Sequence, residues 1–113
     1  MQYCRIEHNQ RRLPWLVHRC VGIRERAVGL LAVGRPAQET AWLLDRCGRV
    51  HTFGLRQAID VLFCDAQWRV VDLLDGLEPW RVAGHPAAVS TWELPLGSIR
   101  RNGLRLGDRL CPV

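Results

Sequence analysis

The sequence contains no lysine, so all 16 of its basic residues are arginine. Exclusive use of arginine reflects the coding bias of a GC-rich genome better than selection for bidentate phosphate contacts. The formal net charge is +5, but the arginines are scattered, and only those at 11–12 and 100–101 are adjacent. A nucleic-acid binder concentrates basic residues on one element, with aromatic residues between them. Specific nucleic-acid binding is therefore not favoured.

Long apolar runs are also absent. None approaches the ~20 residues that a membrane-spanning helix needs. The first twelve residues are polar and lack the apolar segment of a secretory signal peptide. We therefore expect no membrane span and a cytoplasmic location.

Cysteine pairs of the C-x-x-C type are missing, and the cysteine count of five is odd. A secreted disulfide framework favours an even number at closer spacing. Free cysteines in a reducing compartment are mostly small buried apolar residues. We expect this of most of the set, which comprises Cys4, Cys20, Cys47, Cys64 and Cys111.

The chain has the size and balance of one globular domain, with 113 residues, 48% hydrophobic and 24% charged. Residues 1–12 are polar and without periodicity, so we predict an N-terminal arm or edge strand there. Residues 13–113 are predicted to form a single globular domain. Its first strand, residues 13–20, contains Pro14 and is therefore predicted at an edge. Such an edge would support a weak dimer, so we expect a monomer or weak dimer.

Apolar positions at helical spacing occur at Ile23, Ala27, Leu30 and Leu31, which predicts one short helix near residues 22–33. From residue 41 onward, short apolar runs alternate with turn residues, as in a protein of short strands. Residues 59–64 predict a central strand, 75–86 an irregular loop and 97–102 a single helical turn. The fold class predicted is mainly β (α+β), a small barrel-like or strongly curved antiparallel or mixed sheet.

Four segments resemble the bacterial and archaeal family called domain of unknown function 192. The segment VHTFGLRQAIDVLFCD at residues 50–65 is similar to the family signature VHTFGMRFPIDVVFLD, with Leu55 for methionine and Gln57-Ala58 for an apolar residue and proline. The other three lie at 26–31, at 69–71 with 77–81, and at 92–110. The resemblance implies a small, mostly β, barrel-like domain without a general enzymatic activity. Some members are exported or anchored, which suggests an accessory role at the cell envelope.

The cluster Cys47, His51 and Asp60 permits three interpretations. The three side chains would suit a metal ion, since thiolate, imidazole and carboxylate are its common ligands. A thiol beside a histidine would suit a nucleophile. Alternatively, His51 and Asp60 would hydrogen-bond across adjacent strands and satisfy a polar position of the core, which we favour.

Four further residues are candidates for ligand or partner binding. Thr52 and Arg56 flank the cluster, and a guanidinium is suited to an anionic ligand. Trp80 and Arg81 follow the turn at Pro79 and would form an exposed aromatic–cation pair. Together with His51 and Asp60, they define the predicted binding face.

No G-x-S-x-G or H-E-x-x-H motif occurs in the sequence, and its glycine-rich segment at 103–108 lacks the lysine of a P-loop. We therefore favour a non-enzymatic binding or assembly module without a cofactor. Its partner would be a protein or a small-molecule ligand. The alternative is a metal- or thiol-dependent site at Cys47, His51 and Asp60.

Overall fold

The computed structural model describes residues 2–20 and 40–113, and within these ranges the chain is built mainly of short strands. One short helix lies in these two ranges, α1 (Ser98–Asn102), at the place predicted for a single helical turn. The strands are β1 (Gln2–Cys4), β2 (Ile6–His8), β3 (Arg11–Arg12), β4 (Leu16–Cys20), β5 (Thr40–Leu44), β6 (Arg49–His51), β7 (Ile59–Cys64), β8 (Val70–Leu77), β9 (Val82–Gly84), β10 (Ser90–Leu94) and β11 (Leu110–Pro112).

The largest sheet has six strands in the order β1-β4-β5-β10-β7-β8. β4 and β5 are parallel, whereas the other neighbours are antiparallel, so the predicted mixed sheet is confirmed. A parallel pair requires a long connection, and residues 21–39 supply it. The helix predicted near residues 22–33 lies outside the described residues.

The prediction of a barrel-like closure is wrong. In the part of the chain that the structure describes, β1 and β8 are the two edges of the large sheet and do not pair with each other. The remaining strands form two separate small sheets, β11-β2-β3 and β6-β9. The sheets are therefore open, and the two small ones lie outside the main hydrogen-bond ladder.

The predicted edge position of the first strand is also wrong. β4 begins at Leu16, after Pro14, so the proline does not interrupt the ladder. β4 lies inside the large sheet because β1 pairs with its outer side, with Cys4 opposite Val17. The polar N-terminal segment thus supplies the edge strand. Ile6, on β2, is fully buried in the core.

β7 has the bounds predicted for the central strand, and all six of its residues are buried. Because side chains alternate along a strand, Leu62 packs in one hydrophobic cluster, with Trp92, and Phe63 packs in the other, with Trp42. The large sheet is therefore covered with apolar packing on both faces.

Residues 75–86, predicted as one irregular loop, contain two strand segments. β8 continues to Leu77 because Gly76 adopts a φ of 85°, which glycine tolerates. β9 then pairs with β6, His51 lying opposite Val82. The turn between Leu77 and Val82, which carries Trp80, is irregular, and so are residues 85–86 after β9. Among the described residues, no helix is long and apolar enough to cross a membrane.

Candidate functional site

Three aromatic side chains lie in a row on the surface where β6 ends. The His51 and Phe53 rings have centroids 4.8 Å apart, and the Phe53 and Trp80 rings 5.8 Å apart. Phe53 is 43% exposed and Trp80 is 65% exposed. We call this group of His51, Phe53 and Trp80 the aromatic surface. Large exposed aromatic side chains that contact one another are typical of protein interaction sites.

Thr52 lies beneath the aromatic surface and fixes the turn that carries Trp80. Its side chain is buried, and its hydroxyl donates to the carbonyl oxygen of Glu78 at 2.6 Å. The Thr52 hydroxyl oxygen in turn accepts the Arg81 N–H at 2.9 Å. The Thr52 backbone donates to the Arg81 carbonyl and accepts from the Trp80 N–H. The turn that presents Trp80 is therefore attached to β6 by both the side chain and the backbone of one residue.

The backbone of Trp80 is in the left-handed region, with a φ of 63°. This conformation is costly for any residue with a Cβ atom. Strained conformations persist where the surrounding structure imposes them, and they cluster at functional sites. Here the contacts to Thr52 impose the strain, and the result is an indole ring directed to solvent.

Two arginines lie beside the aromatic surface. Arg81 follows Trp80 and is exposed, as is Arg49, which precedes His51 by two residues on β6 and so lies on the same face. Arg56 is also exposed and follows Phe53 by three residues in the chain. The guanidinium of Arg81 lies 3.5 Å from the carboxylate of Glu78, in an exposed pair that solvent screens. The surface therefore combines apolar rings with a positive rim.

An open groove of about 410 Å³ extends along β9 next to the aromatic surface. It is lined by Gly48, Arg49 and residues 82–86. Gly48 is required where it stands, because a Cβ atom there would lie 2.6 Å from the carbonyl oxygen of Ala88. Sequence reasoning missed Phe53, Arg49 and Val82; the only signal for Phe53 was an aromatic residue directly before the turn glycine Gly54.

Asp60 does not share this surface with His51, Thr52, Trp80 and Arg81. Its side chain is fully buried on β7. One carboxylate oxygen accepts the Gly76 N–H at 3.0 Å, and the other accepts the Ile99 N–H at 2.9 Å. Asp60 therefore joins β8 and the start of α1 to the central strand. The predicted hydrogen bond between Asp60 and His51 is wrong, because the Asp60 oxygens accept these two backbone N–H groups instead.

The structure does not bring Cys47, His51 and Asp60 together. The Cys47 thiol donates to the Arg49 carbonyl at 2.8 Å, and the His51 ring nitrogen Nδ1 accepts the Phe53 N–H at 3.3 Å. Within the described ranges, no group of three or more His, Cys, Asp or Glu side chains has an arrangement that would hold a metal ion.

A different buried carboxyl lies at the centre of the large sheet. Glu93, on β10, is 3% exposed, and burial raises its pKa to about 8. One of its oxygens has no hydrogen-bond partner among the described residues, and neither has the indole nitrogen of Trp42, its cross-strand neighbour. At neutral pH this carboxyl is therefore mainly protonated.

The family model DUF192, described as "Uncharacterized ACR", matches residues 6–111. The chain belongs to this family, the one indicated by the segment at residues 50–65. Curated proteins gave no significant match.

Two solved structures share the fold. One is a protein from Sinorhizobium meliloti 1021 named as a proposed transcription regulator, 20% identical, with a TM-score of 0.84 over 98% of this chain and 94% of that one. The other is a protein of unknown function from Novosphingobium aromaticivorans DSM 12444, 16% identical, with a TM-score of 0.80 over 96% of this chain and 83% of that one. At these identities the likeness concerns the fold alone.

Proposed function

We propose that this chain is a non-enzymatic binding or assembly module that binds a protein partner through the aromatic surface. The observation that carries this proposal is the exposed row of His51, Phe53 and Trp80, held in place by Thr52. A rigid apolar platform loses little conformational entropy on binding, which favours its use as an anchor. We assign Arg56 and Arg81 to a charged rim of the kind that surrounds interface cores.

The shape of the site favours a protein over a small molecule. Small-molecule sites are concave and enclose most of the ligand. The rings of Phe53 and Trp80 are exposed, and the groove beside them is open. A partner with a complementary apolar patch would bury rings that are now in water. The accessory role at the cell envelope and the cytoplasmic location both stay predictions.

Nucleic acid is the less favoured partner. The name of the Sinorhizobium protein mentions transcription, but that name belongs to a protein only 20% identical to this chain. In the described part of the chain, Arg49 and Arg81 lie next to the aromatic surface or on the groove beside it, and the arginines of the sequence as a whole are scattered along it.

Site-specific photo-crosslinking in living cells tests the proposal. A photoreactive phenylalanine analogue replaces Phe53 or Trp80, and a third variant carries it at Leu106. Leu106 is a matched control because it is 64% exposed, against 65% for Trp80. We expect the same adduct from positions 53 and 80, none of that mass from 106, and loss of the position-53 adduct when Trp80→Ala is added.

Adducts of equal yield and mass at position 106 would contradict the proposal, as would the absence of any adduct at positions 53 and 80. An adduct that contains nucleic acid and disappears on nuclease treatment would also contradict it. Arg81→Glu in the position-53 variant should reduce the yield, since the rim charge would be reversed.

A further inference from the structure

We propose that the partner adds an extended, acidic segment to the free edge of β9, as the third strand of the β6–β9 sheet. This inference rests on the proposed function and names the kind of segment that the site binds. Addition of a strand to a sheet edge is a common mode of peptide recognition, in which the backbone gives affinity and alternate side chains give specificity.

The direction of the backbone groups on β9 follows from its ladder with β6. The His85 N–H donates to the Gly48 carbonyl, and the Thr52 N–H donates to the Arg81 carbonyl. Antiparallel pairs alternate between bonded and non-bonded positions, so Val50 and Ala83 form the bonded pair between these two. The N–H and C=O groups of the residues on either side of Ala83, at 82 and 84, therefore point away from β6.

The two edges of this small sheet differ. On the β6 edge, the Arg49 carbonyl accepts the Cys47 thiol, and the His51 ring accepts the Phe53 N–H beside it. On the β9 edge, within residues 2–20 and 40–113, no strand and no side chain bonds to the outward groups of Val82 and Gly84. An uncapped edge is a template for pairing with another chain.

Open space lies on the face of the β6–β9 sheet beside β9. The groove of about 410 Å³ is lined there by residues 82–86 together with Gly48 and Arg49. Val82 is 57% exposed and lies opposite His51, at the near end of the aromatic surface. A strand paired with β9 would therefore direct alternate side chains over the groove and toward the rings.

Charge determines the chemistry of the added segment. Arg49 and Arg81 flank this edge, and Glu78 is the acidic residue beside Arg81. A second copy of this chain, paired β9 to β9, would gather both arginines of each copy at one short interface. Because like charges placed together oppose association, an acidic segment from another protein fits this edge better.

The first experiment uses the full chain and panels of short synthetic peptides. In the acidic panel, glutamate alternates with varied apolar residues. One matched panel carries lysine in place of glutamate. A second matched panel keeps the glutamates but carries N-methyl groups on alternate backbone nitrogens. Amide hydrogen exchange is measured by NMR. We expect at least one acidic peptide to slow exchange at Val82 and Gly84 by about tenfold, with no change on β7. Neither matched panel should do so.

A pair of variants tests the outward donor directly. Val82→Pro removes an N–H that takes no part in the β6 ladder, and proline is tolerated on edge strands. Val82→Thr keeps the N–H and the β-branched shape. We expect Val82→Pro to weaken peptide binding by about tenfold or more, whereas Val82→Thr stays within about twofold. If Val82→Pro fails to fold, the N-methylated peptides test the same backbone ladder from the other side, since they remove donors of the added strand and leave the protein unaltered.

The outcomes are distinguishable. Absence of protection at Val82 and Gly84 with every acidic peptide overturns the inference, and so does protection that depends on protein concentration in a sample that dimerises. Peptides that perturb only Trp80 overturn strand addition but leave the proposed function standing. Crosslinks missing at positions 53 and 80, with protection present at Val82, would overturn the proposed function instead.

Discussion

Trp80 combines a strained backbone with an exposed side chain, and neither feature benefits the isolated fold. A φ of 63° costs roughly 1 kcal/mol for a residue with a Cβ atom, and the indole is 65% exposed. Thr52 holds this arrangement through its hydroxyl and its backbone. A residue kept at a cost to stability is best explained by a contact outside the molecule.

Trp80→Gly should therefore separate stability from binding. Glycine adopts the same φ without strain, although it gains entropy in the unfolded chain, so we expect the free energy of unfolding to change by less than about 1 kcal/mol in either direction. The crosslink from position 53 should nevertheless be lost. Chemical denaturation and crosslinking of the same variant measure the two effects. A loss of several kcal/mol would show instead that the indole is needed for folding.

Glu93 makes the stability of the protein depend on pH. Burial raises its pKa from 4.5 to about 8, so the folded state binds more protons than the unfolded state between these values. Stability is then fully present below about pH 4.5 and falls as pH rises toward about 8, by at most ~1.4 kcal/mol per pH unit from this group.

Glu93→Gln should remove this dependence. We expect wild type and variant to diverge progressively above about pH 5, with the variant gaining on the order of 4 kcal/mol relative to wild type by about pH 8. Urea denaturation at several pH values measures the difference between the two curves. Parallel curves would mean that the carboxyl has a partner that stabilises its charge.

At the scale of elements, Asp60 joins three of them with one side chain. β7 carries it, and its two oxygens accept the backbone N–H groups of Gly76 on β8 and Ile99 on α1. The first turn of α1 has no side-chain cap of its own and no acidic residue. The carboxylate of Asp60 therefore satisfies a backbone donor that the helix itself leaves without an acceptor.

Asp60→Asn should destabilise the protein by roughly 1 to 3 kcal/mol. Asparagine has one acceptor oxygen, so one of the two backbone N–H groups would face an amide donor. Asp75→Asn is the control, since Asp75 makes an exposed ion pair with Arg100, and we expect little effect from it. Thermal denaturation compares the two. Equal losses would show that the burial of Asp60 is not what matters.

Elements with strong local patterns were predictable from the sequence. Residues 59–64 are apolar except Asp60, and they form β7 with the predicted bounds. β9 could not be predicted, because Gly84, Pro79 and Pro86 around it indicate a loop and its pairing with β6 is tertiary. The edge position predicted for the first strand failed for the same reason, since β1 covers it.

The candidate site was predictable only in part. His51, Thr52, Trp80 and Arg81 do lie together, because the ladder between β6 and β9 brings two distant segments side by side. Asp60 is separated from them by burial, and sequence spacing alone does not distinguish a buried carboxylate from an exposed one. The left-handed backbone at Trp80 has no signal in the sequence, since glycine and asparagine are the residues expected there.

At the scale of the whole molecule, two distant parts of the chain meet through His8 and Asp108. The His8 ring nitrogen lies 2.6 Å from an Asp108 carboxylate oxygen, between β2 and the turn before β11. Burial alone would raise the pKa of Asp108, but hydrogen bonds from His8, the Arg105 N–H and Asn9 outweigh it and hold the pKa below its usual value. The ionised carboxylate therefore stabilises the three-stranded sheet.

Asp108→Asn should cost about 1 to 2 kcal/mol at neutral pH. Because the pKa of Asp108 is lowered on folding, its contribution is present above the unfolded value of 3.8 and is lost as pH falls through the lower folded value. The stability gap between wild type and variant should accordingly close in strong acid. A gap that persists in strong acid would attribute the loss to packing rather than to charge.

The place of β10 has a consequence for synthesis on the ribosome. β5 and β7 are joined only through β10, a strand that follows both in the chain. Until residues 90–94 have emerged, the nascent chain therefore holds two apolar strands whose facing edges lack their partner. These edges can associate with neighbouring chains during that interval. The period before β10 inserts between β5 and β7 is therefore the one in which aggregation is most favoured.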